Sequence, residues 1–283
     1  VKAGKVATGV AIGVLLVALI ALAGGLWVLL TSPRSPLAPS NRCEATTSTG
    51  TTELTPTQAH YASIIVGISV GRGLPEKAAT IAIATAYQES KINNIDYGDR
   101  DSLGLFQQRP SQGWGTEEQI MDPIYSTNTF YDALLKVKGW QDMEVNDAAQ
   151  AVQRSGFPEA YRQHETNARR IAAALTGQTQ AAFTCLASAD TVGDMASLKA
   201  FLTSVYGDVI AVTTSDTKIT VRTQGQAESW SVAHTLVANY ARYGLTEVAV
   251  DNLRWKAEPR SPGTWQREQV DHAQHEVVGV RTA

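Results

Sequence analysis

Cysteine is scarce, with two in 283 residues, Cys43 and Cys185. So few thiols exclude a Cys-rich zinc module and a dense disulfide scaffold. A basic excess is missing as well. Twenty-four Lys and Arg stand against 27 Asp and Glu, a net charge of −3. That balance argues against a nucleic-acid partner. Two of the lysines, Lys2 and Lys5, precede the first apolar run, so the remainder is more acidic still. No P-loop, dinucleotide fingerprint or solenoid-period repeat is present. His272 and His275 are spaced i, i+3, but no ligand-rich motif accompanies them. They read as surface histidines, and neither a metal site nor a cofactor is expected. What the chain does have is apolar material. At 43% hydrophobic residues it can build packed cores and is too apolar to be disordered.

The first apolar run, Val6 to Leu30, is broken only by Thr8. At about 1.5 Å per helical residue it is long enough to span a bilayer core of about 30 Å. Lys2 and Lys5 then place the N-terminus in the cytoplasm and the body outside. The rival is a cleaved signal peptide, because Ala21-Leu22-Ala23 resembles a cleavage site. Leu26 to Leu30 continues the run past that site and favours a retained single-pass anchor in the cell membrane. Both readings export the chain, the second as a secreted protein. An oxidising compartment favours a Cys43–Cys185 disulfide. The alternative is two unrelated buried thiols.

Composition then shifts along the chain. Residues 31–52 are rich in Ser, Thr and Pro and read as a flexible linker. Thr55-Pro56-Thr57-Gln58 is a capping box with Pro at the first helical position, so a helix starts there. A second is expected from Glu76 to about Ser90. Ile92 to Gly115 is turn-rich. Further helices are expected near Thr127 to Val137, Asn146 to Arg154 and Pro158 to Leu175. Residues 53–188 thus read as a mainly helical domain. Residues 189–283 read as a small α+β domain, with helices at Val192 to Tyr206 and Ala227 to Tyr243. Its strands are expected at Val209 to Thr213, Lys218 to Thr223, Val248 to Trp255 and Glu276 to Arg281. Trp230, Trp255 and Trp265 fit its core better than a ligand surface.

The chemistry concentrates at Glu89. It ends an apolar helix, where partial burial and the negative helix terminus both raise a carboxyl pKa. A carboxylic acid kept protonated near neutral pH is what glycosidic-bond cleavage requires of its general acid. Glu89-Ser90 is followed by Gly104-Leu105-Phe106-Gln107 and then by Ala148-Ala149-Gln150-Ala151-Val152-Gln153. This series resembles the lysozyme-like superfamily, specifically soluble lytic transglycosylases and goose-type lysozymes. In those proteins Glu-Ser precedes Gly-Leu-Met-Gln and an Ala-x-x-x-Tyr-Asn element. Phe106 stands at the Met place, and Val152 and Gln153 stand at the Tyr-Asn places. The stretch from Asp96 to Gly115 is similar to membrane-anchored lysozyme-like proteins of actinobacteria.

The resemblance implies a mainly α lysozyme-like domain, preceded by one N-terminal transmembrane helix (1–30) and followed by the small α+β domain. It implies peptidoglycan glycan strands as substrate and Glu89 as general acid and base at the MurNAc–GlcNAc bond. Gln107 would reach the sugar. Ser102, Gln108, Trp114, Gln153 and Tyr161 are further candidates to line the cleft, although core packing also accounts for Tyr161. A hydrolase needs a second carboxylate. Asp96, Asp99 and Asp101 are the candidates, although acids in a turn more often bond local backbone. The single-acid transglycosylase chemistry is therefore preferred. The alternative is a non-catalytic module that binds peptidoglycan or an envelope protein.

Overall fold

The computed structural model describes residues 40–189, 192–268 and 273–281, with 20–22, 24, 25 and 27. The chain divides into two compact units, Val1–Ser40 and Asn41–Ala283. The expected transmembrane run lies for the most part outside the described residues. Among those described, no helix is long and apolar enough to cross a membrane. The expected fold class is corrected by the second unit, in which helices surround two antiparallel sheets with nine strands among the described residues.

The first sheet comes from sequence expected to be linker. Strands β1 (Arg42–Thr47) and β2 (Gly50–Leu54) form a hairpin, and β3 (Phe183–Leu186) pairs with the other edge of β1. The β-branched threonines that read as a flexible tract are good strand formers once one face is covered. Cys43, Ala45, Thr52 and Leu54 are the covered residues of the hairpin. Cys43 lies directly opposite Cys185 in the β1–β3 register, and the two form the expected disulfide.

Helix α1 (Pro56–Gly71) begins where expected. Thr55 Oγ1 accepts from the Gln58 amide, and the Gln58 side chain accepts from Thr55 N–H. Residues from Ala62 to Ser69 are buried continuously, so α1 is packed on every side. Helix α2 (Glu76–Ser90) runs beside it. Then come α3 (Glu117–Met121), α4 (Pro123–Lys136), α5 (Val145–Gln153) and α6 (Glu165–Leu175).

Helices α7 (Met195–Tyr206) and α8 (Gln226–Ala238) follow β3, and a short α9 (Tyr240–Tyr243) follows α8. The second sheet has the order β4-β5-β9-β6-β7-β8. Its strands are β4 (Ala211–Thr214), β5 (Lys218–Arg222), β6 (Leu245–Val250), β7 (Leu253–Lys256), β8 (Thr264–Arg267) and β9 (Glu276–Arg281). The single strand expected over Val248 to Trp255 is two strands, turned at Asp251, whose φ of 52° is left-handed. Asp tolerates that conformation and supplies the turn.

The helical and mixed segments share one continuous hydrophobic core. Helix α8 is buried from Ser229 to Ala238 and packs on α1, α6, β3 and the second sheet. Two of the three C-terminal tryptophans, Trp255 and Trp265, bond across this join. Trp255 Nε1 donates to Thr184 Oγ1, Trp265 Nε1 to the Phe183 carbonyl and Trp230 Nε1 to Asp251. His234 on α8 bonds the Ala174 carbonyl through Nδ1 and accepts from the Ala182 amide at Nε2. Its imidazole is buried and held neutral, its pKa lowered by burial to about 4.

Candidate active site

Glu89 stands one residue before the end of α2, whose stem from Ala78 to Ala86 is wholly buried. The helix stops through two consecutive left-handed residues, Lys91 and Ile92, both at φ 55°. The Ile92 amide donates back to the Ala86 carbonyl and buries the isoleucine. A β-branched residue is strained in this region, and such strain persists only where surrounding packing imposes it. The turn sends the chain into the loop that follows Glu89.

That loop folds back as a small hairpin. Leu103 and Gln108 exchange both backbone hydrogen bonds, and Gly104 to Gln107 make the turn. Gly104 has φ 75°, and a Cβ there would lie 2.8 Å from the Ile120 carbonyl, so only glycine fits. Ser90 ties this turn to the helix end: its buried hydroxyl donates to the Leu105 carbonyl at 2.8 Å. Phe106 is buried and stacks on Phe130 with ring centroids 4.5 Å apart. The bulky aromatic at this place fills core space and leaves its carbonyl free. That carbonyl accepts from Gln153 Nε2 at 2.7 Å.

Gln153 and Tyr161 converge on the acid. The buried Tyr161 donates its hydroxyl to Glu89 Oε1 at 2.6 Å. Partial burial pushes the Glu89 carboxyl above its ordinary value, and Tyr161, then the amide of Gln153, offset part of that rise. The Tyr161 phenol is pushed up in turn, first by burial and then by the Glu89 charge, so it remains a donor. On the preceding turn, Tyr87 stacks on His164 at 4.9 Å, and Gln88 accepts from Gln163 and lies 2.9 Å from His164 Nε2. Burial lowers the His164 pKa.

The remaining sequence candidates separate into two groups. Trp114 and Gln153 line one groove of about 720 Å³. Gln107 instead folds onto its own loop, donating to the Tyr97 and Gly104 carbonyls. Gln108 is buried and donates to the Ser126 carbonyl, and Ser102 is buried within the loop. Asp101 is held by the Arg109 guanidinium at 2.6 Å and by the Ser111 amide at 2.8 Å. Its bonds to Ser111, then to Arg109, hold its carboxyl well below the usual range. Asp96 is exposed, and Asp99 is exposed beside Arg100. Of the two histidines set aside, His272 lies outside the described residues, and His275 sits in a left-handed turn before β9.

Reading the sequence as free of a G-x-S-x-G elbow misses one pattern. Gly67-Ile68-Ser69-Val70-Gly71 has the spacing of a serine nucleophile elbow. It lies inside α1 and not on a strand-to-helix turn, with Ser69 fully buried. Its glycines are packing sites: a Cβ on Gly67 would strike Val205, and one on Gly71 the Tyr206 backbone. Sequence reasoning also passed over the part Ser90 plays. The hydroxyl next to the acid is the signal, since a serine at a helix C-terminus must bond some carbonyl. No protein-family model and no curated protein sequence matches the chain.

Proposed function

We propose that the protein cleaves the glycan strands of peptidoglycan, with Glu89 as general acid and then general base. The observation that carries this reading is the half-buried carboxyl of Glu89, hydrogen-bonded by Tyr161 and raised in pKa by burial. The three motifs resembling soluble lytic transglycosylases meet at that carboxyl. Glu89 belongs to the first, Gln153 to the third, and the Phe106 carbonyl of the second binds Gln153.

The chemistry is the single-acid route. Protonated Glu89 gives its proton to the glycosidic oxygen as the bond to C1 of MurNAc breaks. The resulting carboxylate then takes the proton of the same sugar's C6 hydroxyl, whose oxygen closes on C1 to give a 1,6-anhydro ring. Glu89 ends protonated, as it began. Tyr161 and Gln153 favour the carboxylate during the second half of this cycle, and burial favours the acid during the first. The fixed pairing of Asp101 with Arg109 and Ser111, and the exposure of Asp96 and Asp99, leave those carboxylates poorly suited to act as the base or nucleophile of a hydrolase. The Cys43–Cys185 disulfide supports an oxidising compartment outside the cytoplasm, where this substrate lies.

Muropeptide analysis after digestion of purified peptidoglycan tests the reading. Anhydro ends are expected, and reducing MurNAc ends would indicate a hydrolase. Glu89→Gln should lower the rate by about 10²- to 10⁴-fold. Wild-type rates in that variant, or no product from the wild type, would refute the assignment and favour a binding module.

A further inference from the structure

The groove of about 720 Å³ that begins at Gln153 lies within the roughly 300–1,000 Å³ usual for ligand pockets. Beside the amides of Gln112 and Gln153, its walls are of three kinds. Trp114 offers a half-buried indole, Ala133 and Val137 are apolar, and Lys136 and Arg154 are cationic. No acidic side chain lines it, although the chain as a whole carries −3. Lys136 and Arg154 are both exposed, and neither makes an ion pair among the described residues.

Local structure fixes the backbone at Arg154 and around Trp114. Arg154 ends α5 in a left-handed conformation, φ 50°. Gln150 braces that turn by bonding the Ser155 carbonyl and hydroxyl at 2.9 and 3.0 Å. A non-glycine residue at positive φ carries a strain cost, so this site holds an arginine where Asn or Gly would sit more easily. Trp114 stands between Gly113 (φ 82°) and Gly115 (φ 138°), conformations that favour glycine. Gln153 lines the groove and donates to the Phe106 carbonyl, on the turn that Ser90, next to Glu89, ties to the helix end.

We infer that this groove is a subsite for a carboxylate-bearing substituent of the glycan, with Trp114 under a sugar ring and Lys136 and Arg154 on the carboxylate. An indole face suits the C–H face of a pyranose, and a guanidinium beside an ammonium suits a carboxylate. Two cations beside an apolar wall suit one or two carboxylates. A polyanion would need a longer basic track than this acidic chain provides. The inference rests on Glu89 as the cleaving acid and deepens it by naming the substituent that the enzyme selects. The carboxylate has two sources in such strands, a free lactyl group on the sugar or the acidic residues of an attached peptide.

The experiment is calorimetric titration of the full chain carrying Glu89→Gln, so that no probe is consumed. Three probes are compared: chitohexaose, which has no carboxylate, amidase-stripped glycan strands, and peptide-substituted strands. The acidic strands should bind more tightly than chitohexaose. That preference should fall about tenfold when Lys136→Gln and Arg154→Asn are added, the scale of two solvent-exposed charge pairs. Asn is used because it tolerates left-handed backbone. Preference for the stripped strands alone assigns the lactyl group, preference for the peptide-substituted strands alone assigns the peptide, and preference for both means that either carboxylate is accepted; each supports the subsite. A preference that survives the double variant, or no preference at all, overturns it. If wild type cleaves strands without this preference, the subsite falls alone. If the preference holds but wild type cleaves nothing, the catalytic reading of Glu89 falls alone.

Discussion

His234 should make the protein lose stability in mild acid. The imidazole is fully buried, with one ring nitrogen bonded to the Ala174 carbonyl and the other to the Ala182 amide. Both bonds are satisfied only by the neutral ring, which donates from Nδ1 and accepts at Nε2. Protonation would turn the acceptor into a donor facing an N–H group, in a fully buried site. Burial accordingly lowers the folded-state pKa from the ordinary 6.5 to about 4. As pH falls through 6.5 the unfolded chain takes up a proton that the folded chain refuses, and unfolding is favoured. The contribution is complete above pH 6.5, declines down to about pH 4, and declines no further below that. At about 1.36 kcal/mol per pH unit the full loss is about 3 kcal/mol.

Urea unfolding followed by tryptophan fluorescence, from pH 8 to pH 4, measures this directly. His60 acts in the same sense, its pKa lowered to about 4 first by burial and then by Arg242. Glu76 and Glu89, whose pKa values are raised by burial, act in the opposite sense. A His234→Gln variant subtracts all three, because each is present in both proteins. Its amide can serve the same two partners and does not titrate. The wild-type curve should therefore fall more steeply than the variant's between pH 6.5 and 4, by about 3 kcal/mol in total. Parallel curves would refute the reasoning, as would an NMR titration of the His234 ring with a midpoint near 6.5.

The disulfide closes a loop with a sequence separation of 142 residues, so replacing Cys43 and Cys185 by Ser should cost about 5 kcal/mol in the chain-entropy account. An unchanged urea midpoint would contradict it. Tyr161→Phe removes a donor to the Glu89 carboxylate and should move the Glu89 titration to still higher pH, read by ¹³C NMR of the side-chain carboxyl; a downward move would show that the phenol favours the acid form. Ser90→Ala leaves the Leu105 carbonyl without its hydroxyl partner and should cost about 1–3 kcal/mol. Amide exchange at Leu103 and Gln108 should quicken with it, and unaltered exchange would mean that the turn holds itself.

Local signals in the sequence locate the helices and most of the second sheet, with β5 and β9 close to their expected bounds, but miss the first sheet. The start of α1 is legible because Thr55, Pro56 and Gln58 act within one turn. The β1–β2 hairpin is not, because Thr-rich sequence takes strand form only when β3 pairs with it from 142 residues away. The same limit hides the join between the two segments. Trp230, Trp255 and Trp265 are recognisable as core residues, but nothing local says that Trp255 and Trp265 point their N–H groups at β3.

At the candidate site, what could be read was the acid and its motifs, and what could not was which polar side chains would be consumed by the loop itself. Loops of this kind must pair their own backbone; Gln107 and Asp101 are used for that purpose, and Gln108 ties the loop to the Ser126 carbonyl of α4. The residues left for Glu89 come from a later helix and the segment beyond it, Gln153 and Tyr161. Each polar group drawn inward to hold the loop reduces the number free to meet a ligand. The cations at 136 and 154 are therefore informative, because among the described residues no carboxylate pairs with them.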